Sequence, residues 1–88
     1  ILECYPNPFN GNLKIQYEIA EASFVNIKVF SINGSLVNDF DMGKLFSGKH
    51  SFIWDGFSKD GRSLPTGIYI ISLNTTNSIT NKKVLFLK

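Results

Sequence analysis

The stretch Trp54-Asp55-Gly56-Phe57-Ser58-Lys59-Asp60-Gly61-Arg62-Ser63-Leu64-Pro65-Thr66-Gly67-Ile68-Tyr69 leaves this chain few ways to fold. The only tryptophan closes an alternating run, His50, Phe52 and Trp54, so it is expected to enter a core with the largest apolar side chain available. Beyond it, Asp55-Gly56 and Asp60-Gly61 supply residues that tolerate positive φ, and Leu64-Pro65-Thr66-Gly67 sets Pro second and Gly fourth in a type I turn. The segment reads as the end of one strand, a shaped loop and the start of the next. Asp55 is expected to accept hydrogen bonds from the loop's own amides, as Asx turns do.

The rest of the chain supplies strands to pack around that tryptophan. Leu13, Ile15, Tyr17 and Ile19 alternate with Lys14, Gln16 and Glu18, the pattern of a half-buried strand, and Val25, Ile27 and Val29 make a second inward face. Asn33-Gly34 between two such runs is a hairpin signal, because a type I′ turn needs positive φ at both central residues; it pairs Phe24 to Ile32 with Ser35 to Phe40. Asp41 to Lys49 reads as a loop with Leu45-Phe46 as an apolar plug, and His50 to Trp54 as a strand. Ile68 to Asn74 is apolar on both faces over its first half, as in a central strand. Asn74 to Thr80 reads as a turn and Lys82 to Lys88 as the last strand. At the start, Tyr5-Pro6-Asn7-Pro8-Phe9 is a fixed lead-in, with Tyr5 and Phe9 placed to clip it onto the body. No window has a helical period, so the fold class is all-β: an Ig-like antiparallel β-sandwich of about seven strands.

Size and charge exclude several functions. With 88 residues the chain is one domain, 1–88, able to bury somewhat more than about 60% of its unfolded surface. A net charge of +2, with no basic cluster beyond Lys82-Lys83, is too mild for a nucleic-acid footprint. Apolar runs stop at four residues (Ile68 to Ile71, Val84 to Leu87), far short of a membrane helix. Cys4 is single, which rules out an internal disulfide and a cysteine metal pair. The chain starts at Ile1 without an initiator Met or a signal-peptide pattern, and so reads as a module from a longer protein whose activity lies upstream.

Chemistry is sparse. His50 has no Gly-x-Ser-x-Gly elbow to serve, and Asp39/Asp41 and Asp55/Asp60 sit where turns favour Asp, so no enzyme, cofactor or metal is expected. A calcium loop starting at Asp55 would need oxygen ligands where Phe57 and Lys59 stand; only a looser set of Asp55, Ser58 and Asp60 is left. Asn33-Gly34-Ser35 and Asn74-Thr75-Thr76 fit the N-glycosylation pattern but are assigned to turns. Phe24, Phe30 and Phe57 fall opposite the core face or in a loop and could stack on sugar rings. The alternative function is therefore a carbohydrate-binding or spacer module of a secreted polysaccharide-degrading enzyme.

In order along the chain, Tyr5-Pro6-Asn7-Pro8-Phe9-Asn10, the Asn33-Gly34 hairpin, Gly48-Lys49-His50 leading to Trp54-Asp55-Gly56, Asp60-Gly61, Leu64-Pro65-Thr66-Gly67-Ile68-Tyr69 and Lys82-Lys83-Val84-Leu85-Phe86-Leu87-Lys88 resemble the type A C-terminal sorting domain of the type IX (Por) secretion system. The middle part also looks like the Ig-like domain of the flagellar hook-capping protein, which shares the loop from Trp-Asp-Gly to Gly-x-Tyr. Ser58 departs from the sorting-domain pattern, which usually has Asp there, and this weakens any ion site in the loop.

The resemblance implies a secreted protein of a Bacteroidetes-like bacterium. Its passenger, N-terminal in the same chain, would cross the periplasm and then the outer membrane through the type IX machinery, with a sortase-like peptidase as a further partner. Release or surface attachment would follow. The domain is expected to be a monomer with no catalytic residue. Recognition would fall chiefly on Lys82 to Lys88, and less on Tyr5 to Asn10.

Overall fold

Alternation turns into burial along the second strand of the chain: Leu13, Ile15, Tyr17 and Ile19 are all at or below 6% exposure, while Lys14, Gln16 and Glu18 point away. The computed structural model describes all 88 residues. Its strands are β1 Leu2–Tyr5, β2 Leu13–Ile19, β3 Ser23–Ser31, β4 Leu36–Leu45, β5 Gly48–Trp54, β6 Gly67–Asn74 and β7 Ile79–Phe86. They form a three-stranded sheet, β1-β2-β5, and a four-stranded sheet, β4-β3-β6-β7, with every pairing antiparallel. Val25, Ile27 and Val29 of β3, Tyr69, Ile71 and Leu73 of β6, and Val84 and Phe86 of β7 complete the buried layer between the sheets. This is an Ig-like β-sandwich. No helix is long and apolar enough to cross a membrane.

Several boundaries depart from the sequence reading. Leu2–Tyr5 is a strand that the sequence reading does not place, since only Tyr5 is read, as the start of the lead-in; it pairs Leu2 with Tyr17 and Tyr5 with Lys14. Asp41 to Lys49 is not a loop: β4 continues to Leu45 and β5 begins at Gly48, leaving two residues to cross between the sheets. Of the apolar pair Leu45-Phe46, Leu45 packs against the core and Phe46 is 83% exposed. The cause is two register shifts in β4, one between the partners of Val25 and Asn26 that skips Met42, and one between those of Val29 and Phe30 that skips Val37. Each inserted residue breaks the period of two on which a strand is recognised.

Asn33-Gly34 turns the chain as expected, but not as type I′, because no residue other than glycine has positive φ. Ser31 O accepts from Gly34 N at 2.9 Å, and Gly34 then takes a φ of 91°, the arrangement of a type I turn followed by a G1 bulge. The turn after β6 is shorter than Asn74 to Thr80, since Asn74 ends β6 and Ile79 begins β7, closed by Thr75 N donating to Ser78 O at 2.9 Å. The last strand accordingly starts before Lys82 and ends at Phe86. Leu64-Pro65-Thr66-Gly67 is a bend that leads straight into β6 and is not a hydrogen-bonded type I turn.

Candidate functional site at the aromatic end

The motif residues converge on one end of the sandwich. Trp54, at 1% exposure, donates its indole N–H to Phe57 O at 3.0 Å; Asn38 Nδ2 donates to the same carbonyl at 2.9 Å. Asp55 Oδ1 accepts from Phe57 N at 3.1 Å, the Asx turn expected from the sequence. Gly56 has a φ of 82°, which strains any side chain there, and a Cβ would also press on Gly11 O at 3.2 Å and touch the Phe86 ring at 3.4 Å. The loop tip turns at Ser58 to Gly61, where Ser58 O accepts from Gly61 N at 3.0 Å and Ser58 N donates to Arg62 O at 2.9 Å. Tyr69 O–H donates back to Pro65 O at 2.7 Å, in the manner of the tyrosine corner of Ig-like domains.

Under this loop the rings close a cycle. Phe9 and Trp54 centroids are 5.7 Å apart, Trp54 and Tyr69 6.1 Å, Tyr69 and Phe86 6.3 Å, and Phe86 and Phe9 stack at 4.9 Å. These separations lie in the range where offset and edge-to-face ring pairs attract beyond their area burial. Burial alone pushes the Tyr69 hydroxyl above the ordinary tyrosine range, and does the same to Tyr17, so both stay neutral at physiological pH.

Phe9 reaches this cycle because the lead-in is bonded along β7. Asn7 Nδ2 donates to Lys83 O at 3.3 Å and its Oδ1 accepts from Leu85 N at 2.9 Å. Phe9 N donates to Leu85 O at 2.9 Å and Phe9 O accepts from Leu87 N at 2.8 Å, a one-residue parallel bridge opposite Phe86. Lys88 N is held by Thr66 Oγ1 at 2.9 Å. The upper half of an otherwise free sheet edge is thus satisfied by the lead-in. The peptide bonds before Pro6 and Pro8 are both cis. Of the two expected clips, Phe9 enters the core at 2% exposure, whereas Tyr5 lies on the outer face of the three-stranded sheet, bonded to Gln16 Oε1 at 2.6 Å with Lys14 Nζ 5.7 Å above its ring.

The recognition residues divide by face. Val84 and Phe86 are core, at 1% and 6% exposure; Lys82, Lys83, Leu87 and Lys88 are exposed and Leu85 is half-buried. Cys4 lies partly buried near Lys82: burial pushes its thiol up to about 11, with the lysine charge opposing. Asp60 is occupied locally, by the Ser58 hydroxyl and by Arg62 Nε at 3.2 Å; the Ser58 bond, aided by Arg62, holds its carboxyl below the usual range. Asp55 and Asp60 are therefore engaged by the loop itself. His50 stacks on Tyr17 at 5.7 Å, its Nε2 on Phe46 O at 2.8 Å, and meets no hydroxyl nucleophile. Phe24, Phe30 and Phe57 are not gathered into one platform: Phe24 and Phe30 stand at opposite ends of β3, and Phe57 is in the loop. Sequence reasoning missed Asn38 and Thr66; their partners are remote in the chain, and no local pattern marks them.

A family model described as the FlgD Ig-like domain matches residues 9–78. Basal-body rod modification protein FlgD of Escherichia coli (strain K12) is 37% identical over 59 residues, which covers 67% of this chain and 26% of that protein. The chain thus spans about a quarter of the length of the curated relatives it matches. Among solved structures, FlgD from P. aeruginosa superposes with a TM-score of 0.69 at 25% identity, over 84% of this chain and 57% of that one. PorZ of Porphyromonas gingivalis, described as an essential bacterial surface component of the type IX secretion system, shares the fold: TM-score 0.72 and 17% identity over 99% of this chain and 11% of that one.

Proposed function

The chain belongs to the FlgD Ig-like domain family, and from that footing we propose that it is a non-catalytic sorting module, directing a passenger in the same chain through the type IX outer-membrane machinery for release or surface attachment. A shared Ig-like core does not set a task; what specialises it is added at its ends. The family match runs from residue 9 to residue 78. Outside it lie the two segments that carry the sorting-domain resemblance most strongly, Tyr5 to Pro8 and Lys82 to Lys88. The observation that carries the proposal is that Asn7, 76 and 78 positions away in sequence, is bonded to Lys83 and Leu85. Two distant motifs make one surface, with Lys82, Lys83, Leu87 and Lys88 exposed beside it. In this reading Val84 and Phe86 hold the strand in place, and the exposed lysines and Leu87 are what the machinery contacts. A sortase-like peptidase then acts on the exported product.

Residues 1–88, fused behind a signal peptide and a fluorescent reporter in a host with a type IX system, are expected to carry the reporter to the surface or medium. Deleting Lys82 to Lys88 would also remove two core side chains, so the decisive variant is Lys82→Glu/Lys83→Glu/Lys88→Glu, which leaves the core intact. It is expected to keep its melting temperature and to stay in the periplasm. Unchanged export of that folded variant would sink the proposal.

The 37% identity to FlgD favours a second reading, a structural module of a flagellar assembly protein. That reading gains if the unaltered fusion is not exported at all.

A further inference from the structure

The outer face of the four-stranded sheet changes character along its length. Its middle is polar, as an open sandwich face should be: Lys28 of β3 faces Asp39 and Ser72 across the ladders, Ser72 faces Asn81, and Asn26 and Asn74 pair in the next row. Towards the aromatic end it turns apolar. Leu36, Phe30 and Ile70 stand in one row across β4, β3 and β6, and Ile68 and Leu85 face each other in the next. Register sets Ile32, just past the Ser31–Tyr69 pair, beside Ile68, and sets Leu87 on the same side as Leu85. Leu36, Ile32, Ile68 and Leu87 are between 41% and 59% exposed, while Phe30, Ile70 and Leu85 are half-buried.

The core does not account for these side chains, because none of them belongs to the buried cluster or packs against it. A contiguous apolar patch of this kind on a small domain marks a contact surface. Cations frame it. Lys83 closes the row of Ile70, Lys28 precedes Phe30 on the same face of β3, and Lys88 follows Leu87. The nearest carboxylates are already engaged: Asp39 holds Lys59 at 2.7 Å and Asp60 holds Arg62 Nε at 3.2 Å. The charge left over is positive.

A second copy, a membrane or another protein could lie on such a face. Strands are about 4.8 Å apart and successive rows about 6.8 Å apart along them, so the patch covers about 300 Å². A stable dimer buries about 800 Å² on each partner, and a second copy would set one lysine frame against another. Interfacial membrane anchors sink about 5–10 Å into the bilayer, a depth that half-buried side chains lying flat on a sheet do not reach. Area and charge together suit a brief encounter with a protein surface that is itself flat, apolar and framed by carboxylates.

We propose that Phe30, Ile32, Ile68, Ile70 and Leu85 form the face on which the type IX machinery holds the module, through an apolar surface edged with Asp and Glu. The inference rests on the sorting function and names its contact surface more fully. Lys83 and Leu87 of the C-terminal segment are one border of this face, whereas Phe30, Ile32, Ile68 and Ile70 lie within residues 9–78, the part that matches the FlgD family. The small area keeps the contact short-lived, as handing on a cargo requires.

The test uses the reporter fusion of residues 1–88 in the host with a type IX system. Ile68→Thr/Leu85→Thr removes one apolar cross-strand pair while Thr keeps its preference for strand. Ile32→Glu, in the exposed turn, touches no ladder and would meet the partner's carboxylates with a like charge. Both variants are expected to keep the parent's melting temperature within a few degrees and to lower surface and medium reporter about tenfold, the change that about 1.4 kcal/mol of lost contact gives. The retained reporter should collect in the periplasm. Phe24→Thr, which removes an exposed ring from the far end of the same face, should export normally. Because the reporter is foreign, a natural passenger cannot be what the face meets.

Full export of folded Ile32→Glu overturns the face and leaves the sorting function resting on the lysines and Leu87; that variant decides the matter even if the double threonine variant does not fold. An unaltered fusion that stays inside the cell overturns both. Dimers of the purified fusion in sedimentation, lost in Ile32→Glu, would assign the face to a second copy. Binding of the fusion to vesicles of phosphatidylglycerol and phosphatidylethanolamine, lost in the same variant, would assign it to lipid. Either result overturns the proposal.

Discussion

The two ends of this sandwich hold the same pair of sheets together by different means. At one end Phe9, Trp54, Tyr69 and Phe86 form a closed ring of aromatic contacts, roofed by a loop whose carbonyls at Phe57 and Pro65 receive Trp54, Asn38 and Tyr69. At the other end no ring cycle closes: Ile19 and Leu73 are buried beside an open hollow of about 260 Å³ lined also by Ala22 and Ser23, with Tyr17 stacked only on His50. Ser23 Oγ accepts from Thr76 N at 2.8 Å, and the Thr75 and Ser78 hydroxyls meet at 2.8 Å across the turn. The difference teaches where rigidity is placed: the end that ties the lead-in to the C-terminal strand is overdetermined, and the other end, where Ile1 lines the hollow beside Ile19, is the one placed to open locally.

The sharpest way to break the comparison is Trp54→Ala. It removes the hub of the ring cycle and the donor to Phe57 O, and is expected to cost about 3–5 kcal/mol in urea denaturation, most of the stability of a domain this size. A loss below about 1 kcal/mol would mean that the aromatic end does not carry the fold. At the opposite end, Leu73→Ala should cost about 2 kcal/mol, the low side of the range for such truncations, because the open hollow lets neighbours close in. A cost equal to that of Trp54→Ala would erase the contrast.

Asn7→Ala tests the bonded lead-in itself. It leaves Leu85 N and Lys83 O on the sheet edge without their partner, and about 1–2 kcal/mol is expected, with amide exchange at Leu85 speeding up while that at Ile27 does not. If Leu85 exchange is unaltered, Phe9 alone suffices to hold β7.

Cys4 supplies a pH-dependent check on the same seam. Its thiol is raised from 9.0 to about 11 by burial, so the folded state keeps a proton that the unfolded state has lost over that interval. The stability it contributes is complete below pH 9 and is lost as pH rises towards 11. Cys4→Ala should flatten part of the alkaline decline, leaving the share that comes from Tyr17 and Tyr69, whose hydroxyls are raised by burial too. An identical decline in the variant would rule the thiol out.

What was legible in the sequence follows from how local its cause is. Strands with one polar face, such as Leu13–Ile19, announce themselves, and Trp54 was placed in the core by the period of two that ends on it. β4 was cut short because the extra residues Val37 and Met42 reset the alternation. The start of β7 was lost because Ile79 to Lys83, on a free edge, are all exposed and show no inward face. The joining of Asn7 to β7 spans nearly the whole chain, so nothing local could specify it. The resemblance assigned both motifs to recognition, and their pairing is seen only in the structure.

The smallest expected effect sharpens the comparison by showing what does not hold the aromatic end. Asp55 and Asp60 sit in its loop, and an ion bridging them would make the loop's order conditional. Yet Asp55 Oδ1 is committed to Phe57 N, while Asp60 is exposed and satisfied by Ser58 and Arg62. Calcium would have to displace these bonds and find further oxygens where Phe57 and Lys59 stand, so millimolar calcium or a chelator is expected to leave the melting temperature unchanged. Because the Asp60 carboxyl is held below its usual value, whatever the ionised form contributes is present above about pH 3.8 and fades only as pH falls through the folded-state value. Because the pair is solvent-exposed, Asp60→Asn should cost little at neutral pH, and should remove whatever acid-side decline the carboxyl contributes. A rise of several degrees with calcium, lost in Asp55→Asn, would make the loop an ion-dependent element and the rings beneath it insufficient on their own.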